Sequence, residues 1–306
     1  MKRFIVSVAF VIGLVSGQDS CTAATVPRTV TLWPSGAPDE RGALPTEQDT
    51  TKPTDALIAG RRVIRLGNVS QPSLTLYPAP RRKSTGTTVL VCPGGGYYIL
   101  AMDLEGTEIC EWLNSIGVHA ALLKYRVPRR AGSPSAPAAL QDAQRAFSLL
   151  RAHSVEYGVG SGPIGVMGFS AGAHLSAALS TSERRIYPSQ DAADQGSFRP
   201  DFTALIYPGG LVQKDSGDHI APELKLSMAT PPTFLAMSQD DPVRVENVIQ
   251  YAAALQAAHV PLEMHVYPKG GHGYGLRRTG AAVTSWPDRM ADWMRGNGWL
   301  TRAQRQ

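Results

Sequence analysis

Short, continuous apolar runs alternate with stretches of helical spacing along most of this chain. Thr87–Cys92 (TTVLVC), His119–Tyr125 (HAALLKY), Pro163–Phe169 (PIGVMGF), Phe202–Tyr207 (FTALIY), Thr233–Met237 (TFLAM) and Leu262–Tyr267 (LEMHVY) each predict a strand. Helices are predicted at about 104–116, 137–156, 171–181, 244–258 and 281–295; in the second, Leu140, Ala143, Phe147 and Leu150 fall on one face. Strands without polar alternation are buried on both sides, as in a parallel sheet with helical crossovers. Arg62–Leu66 and Ser73–Tyr77 predict two further short strands around a Gly-Asn turn. Residues 25–60, rich in Pro, Thr and Gly, predict irregular structure. The stretches 182–200 and 209–231 exceed ordinary loop lengths and are expected to shape a pocket. With no internal repeat and no long linker, one α/β domain is expected to occupy 25–306.

The first 24 residues read differently. Met1-Lys2-Arg3 precedes an apolar run from Phe4 to Val15, followed by small and polar residues through Ala24. This is the layout of a secretory signal peptide, and the apolar run is too short to span a bilayer as a helix. A periplasmic or secreted protein without stable membrane insertion after cleavage is therefore expected. A lipid attachment at Cys21 fits less well, because Gln18-Asp19-Ser20 is a poor lead-in. The other cysteines, Cys92 and Cys110, can form a disulfide in an oxidising compartment or remain buried thiols. Three cysteines in 306 residues argue against a disulfide scaffold or a cysteine-built zinc module. A formal charge of +5, spread without like-charge runs, gives no reason to expect nucleic acid.

The chemistry enters at Gly168-Phe169-Ser170-Ala171-Gly172, a G-x-S-x-G sequence between a predicted strand and a predicted helix. A sharp strand-to-helix turn strains the serine backbone, and the flanking glycines let the neighbouring chain pass without Cβ clashes. The hydroxyl then stands at a helix N-terminus, where free amides favour a developing anion. A serine hydroxyl needs a base. Of seven histidines, His272 is favoured: it lies in Gly270-Gly271-His272-Gly273-Tyr274-Gly275, just beyond the last predicted strand, at the carboxyl edge of the sheet. His119, His153, His174, His219, His259 and His265 lie at strand or helix positions or in a loop that fit packing better. The base in turn needs an orienting carboxylate. Asp240-Asp241-Pro242 follows the strand Thr233–Met237. Asp241 is preferred because Pro242 would fix the turn that presents it, with Asp240 as the alternative or as a helix cap. The order Ser170, Asp241, His272 is that of α/β-hydrolases. Cys92-Pro93-Gly94-Gly95-Gly96-Tyr97 follows another strand, and its amides, with that of Ala171, could hold an oxyanion. No Lys-Ser or Lys-Thr follows these glycines, so a phosphate loop is excluded. Tyr97, Tyr98, Tyr207 and Tyr274 fall near the same edge, and Tyr97 is the one favoured to contact substrate.

Together "VCPGGGY", "LKYR", "LQDAQRA", "IGVMGFSAG", "DDPVRVEN" and "HVYPKGGHGYGLR" resemble the secreted bacterial α/β-hydrolases related to acetylxylan and feruloyl esterases, over roughly Val63 to Trp299. The resemblance implies an α/β-hydrolase fold: a mostly parallel central sheet flanked by helices, with no large cap domain. It implies Ser170 as nucleophile, Asp241 as acid, His272 as base, and Gly95, Gly96 and Ala171 as oxyanion donors. Asp142 and Arg145 match the family's D-x-x-R-A helix, with a structural role. The acid loop departs from the family: many relatives carry one more residue between the aspartate and the Val-Glu-Asn. Ester hydrolysis on acetylated or feruloylated polysaccharides or oligosaccharides is implied, with neither metal nor organic cofactor. An exopeptidase or amidase with the same triad, and a non-catalytic carbohydrate-binding homologue, are the competing expectations.

Overall fold

The computed structural model describes residues 27–40, 44–130, 136–213 and 217–301. The expected signal peptide lies outside these residues, as does Cys21. In chain order the elements are β1 (Arg28–Thr31), β2 (Gln48–Asp49), β3 (Arg65–Gly67), β4 (Ser73–Tyr77), β5 (Thr88–Cys92) and β6 (Ile99–Ala101). A π-helical turn, Asp103–Thr107, runs into α1 (Glu108–Ser115), followed by β7 (His119–Lys124), α2 (Pro137–His153), β8 (Ile164–Phe169) and α3 (Ala171–Thr181). Then come β9 (Thr203–Ile206), β10 (Val212–Gln213), β11 (His219–Ile220), β12 (Thr233–Ser238), α4 (Glu246–Ala257), β13 (Leu262–Tyr267) and α5 (Trp286–Gly296).

Eight strands form the central sheet in the order β1-β4-β7-β5-β8-β9-β12-β13. The β1–β4 and β4–β7 pairs are antiparallel, and all pairs from β7 onward are parallel. The uninterrupted apolar strands of the sequence are the inner ones: β5, β8, β9 and β12 are buried at every residue. Alternation still decides which face each side chain enters. Val89, Val91, Ala120 and Leu122 join α1 and α5 in one core cluster, whereas Leu90, Cys92, Ala121 and Leu123 join α2 in the other. The helix α5 shows the spacing that makes this possible. Trp286, Met290, Trp293 and Met294 are its buried residues, and Pro287 pre-sets its first turn.

Three expectations are corrected. Residues 25–60 are not wholly irregular: β1 and β2 lie there, but they are short, polar and largely exposed, and leave no apolar alternation to read. The strand expected at Arg62–Leu66 is β3, which pairs with β2 and β6 in a small separate sheet. The last strand, β13, is an edge with Met264 and Val266 about two-fifths exposed, so its apolar run does not mean burial. The two cysteines are free thiols buried in opposite clusters, Cys92 with α2 and Cys110 with α1, so the sheet itself keeps them from pairing. Burial pushes the Cys92 thiol up to about 12.

One charged network is sunk in the core. Asp142 of α2 accepts from Trp33 Nε1 at 2.7 Å and from the Arg126 backbone N–H at 2.9 Å. The Arg126 guanidinium lies 2.9 Å from the same carboxylate and also donates to Pro38, Ala138 and Gln141. Both side chains have no solvent exposure. This network ties the segment before β2 to α2 and to the end of β7, and it gives Asp142 the structural role expected of it. Removing one partner of such a pair strands a buried charge. Asp142→Ala is therefore expected to cost about 3 kcal/mol or more, read by urea unfolding; a loss well under 1 kcal/mol would mean the network contributes little.

Candidate active site

The turn between β8 and α3 places Ser170 where no ordinary backbone would. Its φ of 52° and ψ of −117° lie outside the regions open to most L-residues. The flanking glycines explain how the strain is held. A Cβ on Gly168 would sit 2.1 Å from the Gly172 carbonyl oxygen, and one on Gly172 would sit 2.1 Å from that of Cys92 and 2.4 Å from that of Pro93. The end of β5 thus crosses the elbow in backbone contact. The Ser170 N–H donates to the Ile206 carbonyl at 3.0 Å, which ties the elbow to β9.

The serine side chain meets a histidine 102 residues further along. Ser170 Oγ is 2.9 Å from His272 Nε2, and His272 Nδ1 is 2.7 Å from Asp241 Oδ2. An ionised carboxylate only accepts, so Nδ1 carries the proton that bonds Asp241 and Nε2 is left to accept from the serine hydroxyl. The Asp241 side chain has no solvent exposure, and its other oxygen accepts from the Val243 N–H at 2.7 Å. The adjacent aspartate has a different task. Asp240 Oδ1 accepts from the N–H groups of Gly270 and Gly271 at 2.9 and 2.8 Å, and these bonds hold its carboxyl below the usual range. Ser238 Oγ donates to the Gly271 carbonyl at 2.5 Å. One aspartate clamps the loop that carries His272 and the other touches the imidazole.

The glycine loop lies beside the elbow. A Cβ on Gly94 would come 2.9 Å from Ser170 Cβ, and Gly95 and Gly96 have φ of 132° and 64°, conformations that suit glycine. The Gly94 N–H is taken by Glu105 Oε2 at 2.7 Å. The amides of Gly95, Gly96 and Ala171 donate to no acceptor among the described residues. Tyr97, favoured from sequence as a substrate contact, is only 5 % exposed. Its hydroxyl bonds His174 Nδ1 at 2.7 Å, and His174 Nε2 lies 3.1 Å from Glu223. This ring packs under the loop, which corrects that expectation, while its neighbour Tyr98 is 71 % exposed. His174, one turn after Ser170, sits in that buried chain as packing.

One residue at the site, Glu105, was not singled out from the sequence, and Tyr207 was read there only as an aromatic near the sheet edge. Glu105 is fully buried, and Tyr207 donates to it at 2.8 Å while its ring packs edge-on against His272 with centroids 5.0 Å apart. Four acidic residues fall within 103–111, so nothing in the local sequence set Glu105 apart. Tyr274 packs against Tyr207 at 4.5 Å rather than facing outward. Among the described residues no group of His, Cys, Asp and Glu gathers as a metal site, and no helix is long and apolar enough to cross a membrane.

The chain is similar to several characterised proteins. The BD-FAE family model matches residues 74–206. An acetylxylan esterase of Xylanibacter ruminicola is 30% identical over 216 residues, 63% of this chain and 42% of that protein. An endo-1,4-beta-xylanase B of Butyrivibrio fibrisolvens is 28% identical over 203 residues, 60% of this chain and 32% of its own length. The chain thus spans less than half the length of either relative. Among solved structures, an acetyl ester-xyloside bifunctional hydrolase from Caldicellulosiruptor lactoaceticus superposes with a TM-score of 0.67 at 30% identity, covering 90% of this chain and 99% of that one. A thermophilic esterase from Thermogutta terrifontis superposes at 0.62 with 20% identity, covering 76% and 92%, and shares the fold.

The crossing at the elbow gives a direct test. Gly172→Ala drives a methyl group into two backbone carbonyls and is expected to cost about 3 kcal/mol or more. Gly196→Ala meets nothing closer than 3.8 Å and is expected to stay within about 0.5 kcal/mol. Paired urea titrations compare them; equal stabilities would show that the crossing is loose.

Proposed function

Because the chain belongs to the α/β-hydrolase family related to the acetylxylan esterases, we propose that it is a serine carboxylic ester hydrolase acting on acetyl or feruloyl esters of plant polysaccharides or oligosaccharides. The observation that carries this reading is the hydrogen-bonded line from Ser170 through His272 to Asp241, opening beside three unengaged amides. In the proposed reaction His272 Nε2 takes the Ser170 proton as Oγ adds to the ester carbonyl. The oxygen of the tetrahedral intermediate becomes an anion taken up by the amides of Gly95, Gly96 and Ala171, which have no other acceptor among the described residues. Asp241 keeps the imidazole in the productive tautomer and balances the imidazolium. His272 then returns the proton to the leaving sugar alcohol, and the acyl-serine is released when the same imidazole activates a water.

The substrate class rests on the relatives. One is an acetylxylan esterase, and the solved structure of highest similarity among those above is an acetyl ester-xyloside bifunctional hydrolase. Export, read from the basic start and apolar run of residues 1–24, fits a polymeric substrate outside the cytoplasm. The buried Tyr97 gives no support for aromatic stacking in the pocket, so acetyl is the simpler acyl group.

Turnover of p-nitrophenyl acetate and release of acetate from acetylated xylan are expected. Methyl ferulate, an amino-acid p-nitroanilide and p-nitrophenyl xyloside serve as comparisons. Hydrolysis of the anilide without the esters would overturn the reading in favour of a peptidase. Ser170→Ala is expected to fold normally and lose roughly 10⁴- to 10⁶-fold in kcat; wild-type rates would discard this nucleophile.

The two aspartates are expected to separate sharply. Asp241→Asn presents the wrong partner to Nδ1 and should lose roughly 10⁴-fold in kcat. Asp240→Asn weakens only the loop clamp and should lose no more than about tenfold. Initial rates on p-nitrophenyl acetate decide it; a larger loss at Asp240 would reverse the assignment.

A further inference from the structure

We propose that Glu105 is a positioning residue of this site: its buried carboxylate fixes the glycine loop behind Ser170 and, through Tyr207, the ring of His272. The proposal rests on the reading of Ser170 and His272 as nucleophile and base. It starts from an anomaly of burial. Glu105 is 4 % exposed in the π-helical turn before α1, and no Lys or Arg makes an ion pair with it among the described residues. A carboxylate so placed is costly unless hydrogen-bond donors replace its water.

The donors present all belong to the site. Oε2 takes the Gly94 N–H at 2.7 Å, and Oε1 takes the Tyr207 hydroxyl at 2.8 Å. Tyr207 Oη itself accepts from the Gly275 N–H at 3.2 Å, so its own proton points to Glu105. Gly94 abuts Ser170, and Gly275 ends the loop that carries His272. One carboxylate therefore links the glycine loop, the end of β9 and the histidine loop. With the Gly94 amide turned back to Glu105, the amides of Gly95 and Gly96 are the ones of the glycine loop left without an acceptor among the described residues.

Charge adds a second effect. Burial raises the Glu105 carboxyl, a shift that the Tyr207 hydroxyl, the Gly94 N–H and the charge of His272 reduce without cancelling. The titratable groups facing it are Asp103 of its own turn, Tyr125 at the end of β7, Tyr207 and His272. Asp103 is itself paired with Arg277 at 2.9 Å. Whenever Glu105 is ionised, its charge stabilises the imidazolium that forms as His272 takes the serine proton. Removing that charge makes the imidazolium less favourable, so the acid limb of the rate profile is expected to move down.

The experiment compares wild type, Glu105→Gln, Tyr207→Phe and the double variant. Two readouts are used: kcat and KM on p-nitrophenyl acetate, and the rate at which a fluorophosphonate labels Ser170, each across pH. Glu105→Gln is expected to lower both kcat and the labelling rate by roughly 30- to 100-fold with KM within about threefold. Its acid limb should move down by about half a pH unit. Tyr207→Phe should lose about tenfold, and the double variant no more than Glu105→Gln alone, because both cut the same link. Wild-type rates and an unmoved limb in a folded Glu105→Gln overturn the proposal, as does a fall in melting temperature alone. If Glu105→Gln does not fold, wild-type labelling by Tyr207→Phe overturns it. Labelling needs no ester, so a wild-type protein that labels at Ser170 yet hydrolyses none defeats the esterase reading while the variants still decide the role of Glu105.

Discussion

The site depends on a contact between backbones. The end of β5 crosses the turn from β8 into α3 so closely that Gly172 has no room for a side chain, the start of α3 leaves none at Gly168, and Ser170 is held in a strained conformation between them. Strain of this kind persists only where the surroundings over-determine it. Here the parallel pairing of β5 with β8 and of β8 with β9 supplies that constraint from both sides. The same crossing sets the glycine loop beside the serine, because that loop is simply the continuation of β5. Ser170 and the candidate oxyanion donors thus share one cause.

The other two members of the hydrogen-bonded line are fixed differently, by polar groups inserted between loops. Asp240 and Asp241 are neighbours in the chain, yet one is spent on amides and the other on an imidazole. At Asp240 the bonds accepted from Gly271 and Gly270 outweigh desolvation and stabilise its charge; Asp241 is enclosed and reaches His272. The shortening of the acid loop relative to many relatives does not disturb this division. Pro242 and the Asp241–Val243 bond close the turn within three residues. Beneath the site the same solution recurs at larger scale, with Arg126 and Asp142 fastening the segment before β2 to α2.

Much of this was open to reading because it depends on local pattern. Strands buried on both faces announce themselves as unbroken apolar runs, and the serine elbow as two glycines at fixed offsets between a strand and a helix. His272 stood out because a glycine-rich loop follows the last strand. What escaped depends on distant partners. The edge strand β1 is four residues with a polar, exposed pattern and exists only because β4 offers it a partner. Tyr97 looks like a ligand contact from its place beside three glycines, but a positive φ of 63° and the waiting His174 turn it inward. Glu105 and Tyr207 are 102 residues apart, and nothing in either neighbourhood says that they meet.

The buried and exposed groups around the site are held in different ways. The groups that fix Ser170, Asp241 and His272 are backbone amides, buried carboxylates and the enclosed Tyr207. The side chains that rim the glycine loop are of another kind. Tyr98 is exposed, Arg129 is exposed with its guanidinium over the Tyr97 ring at 5.2 Å, and Glu223 is partly exposed against His174. None of these three makes a hydrogen bond to Ser170, Asp241 or His272 among the described residues.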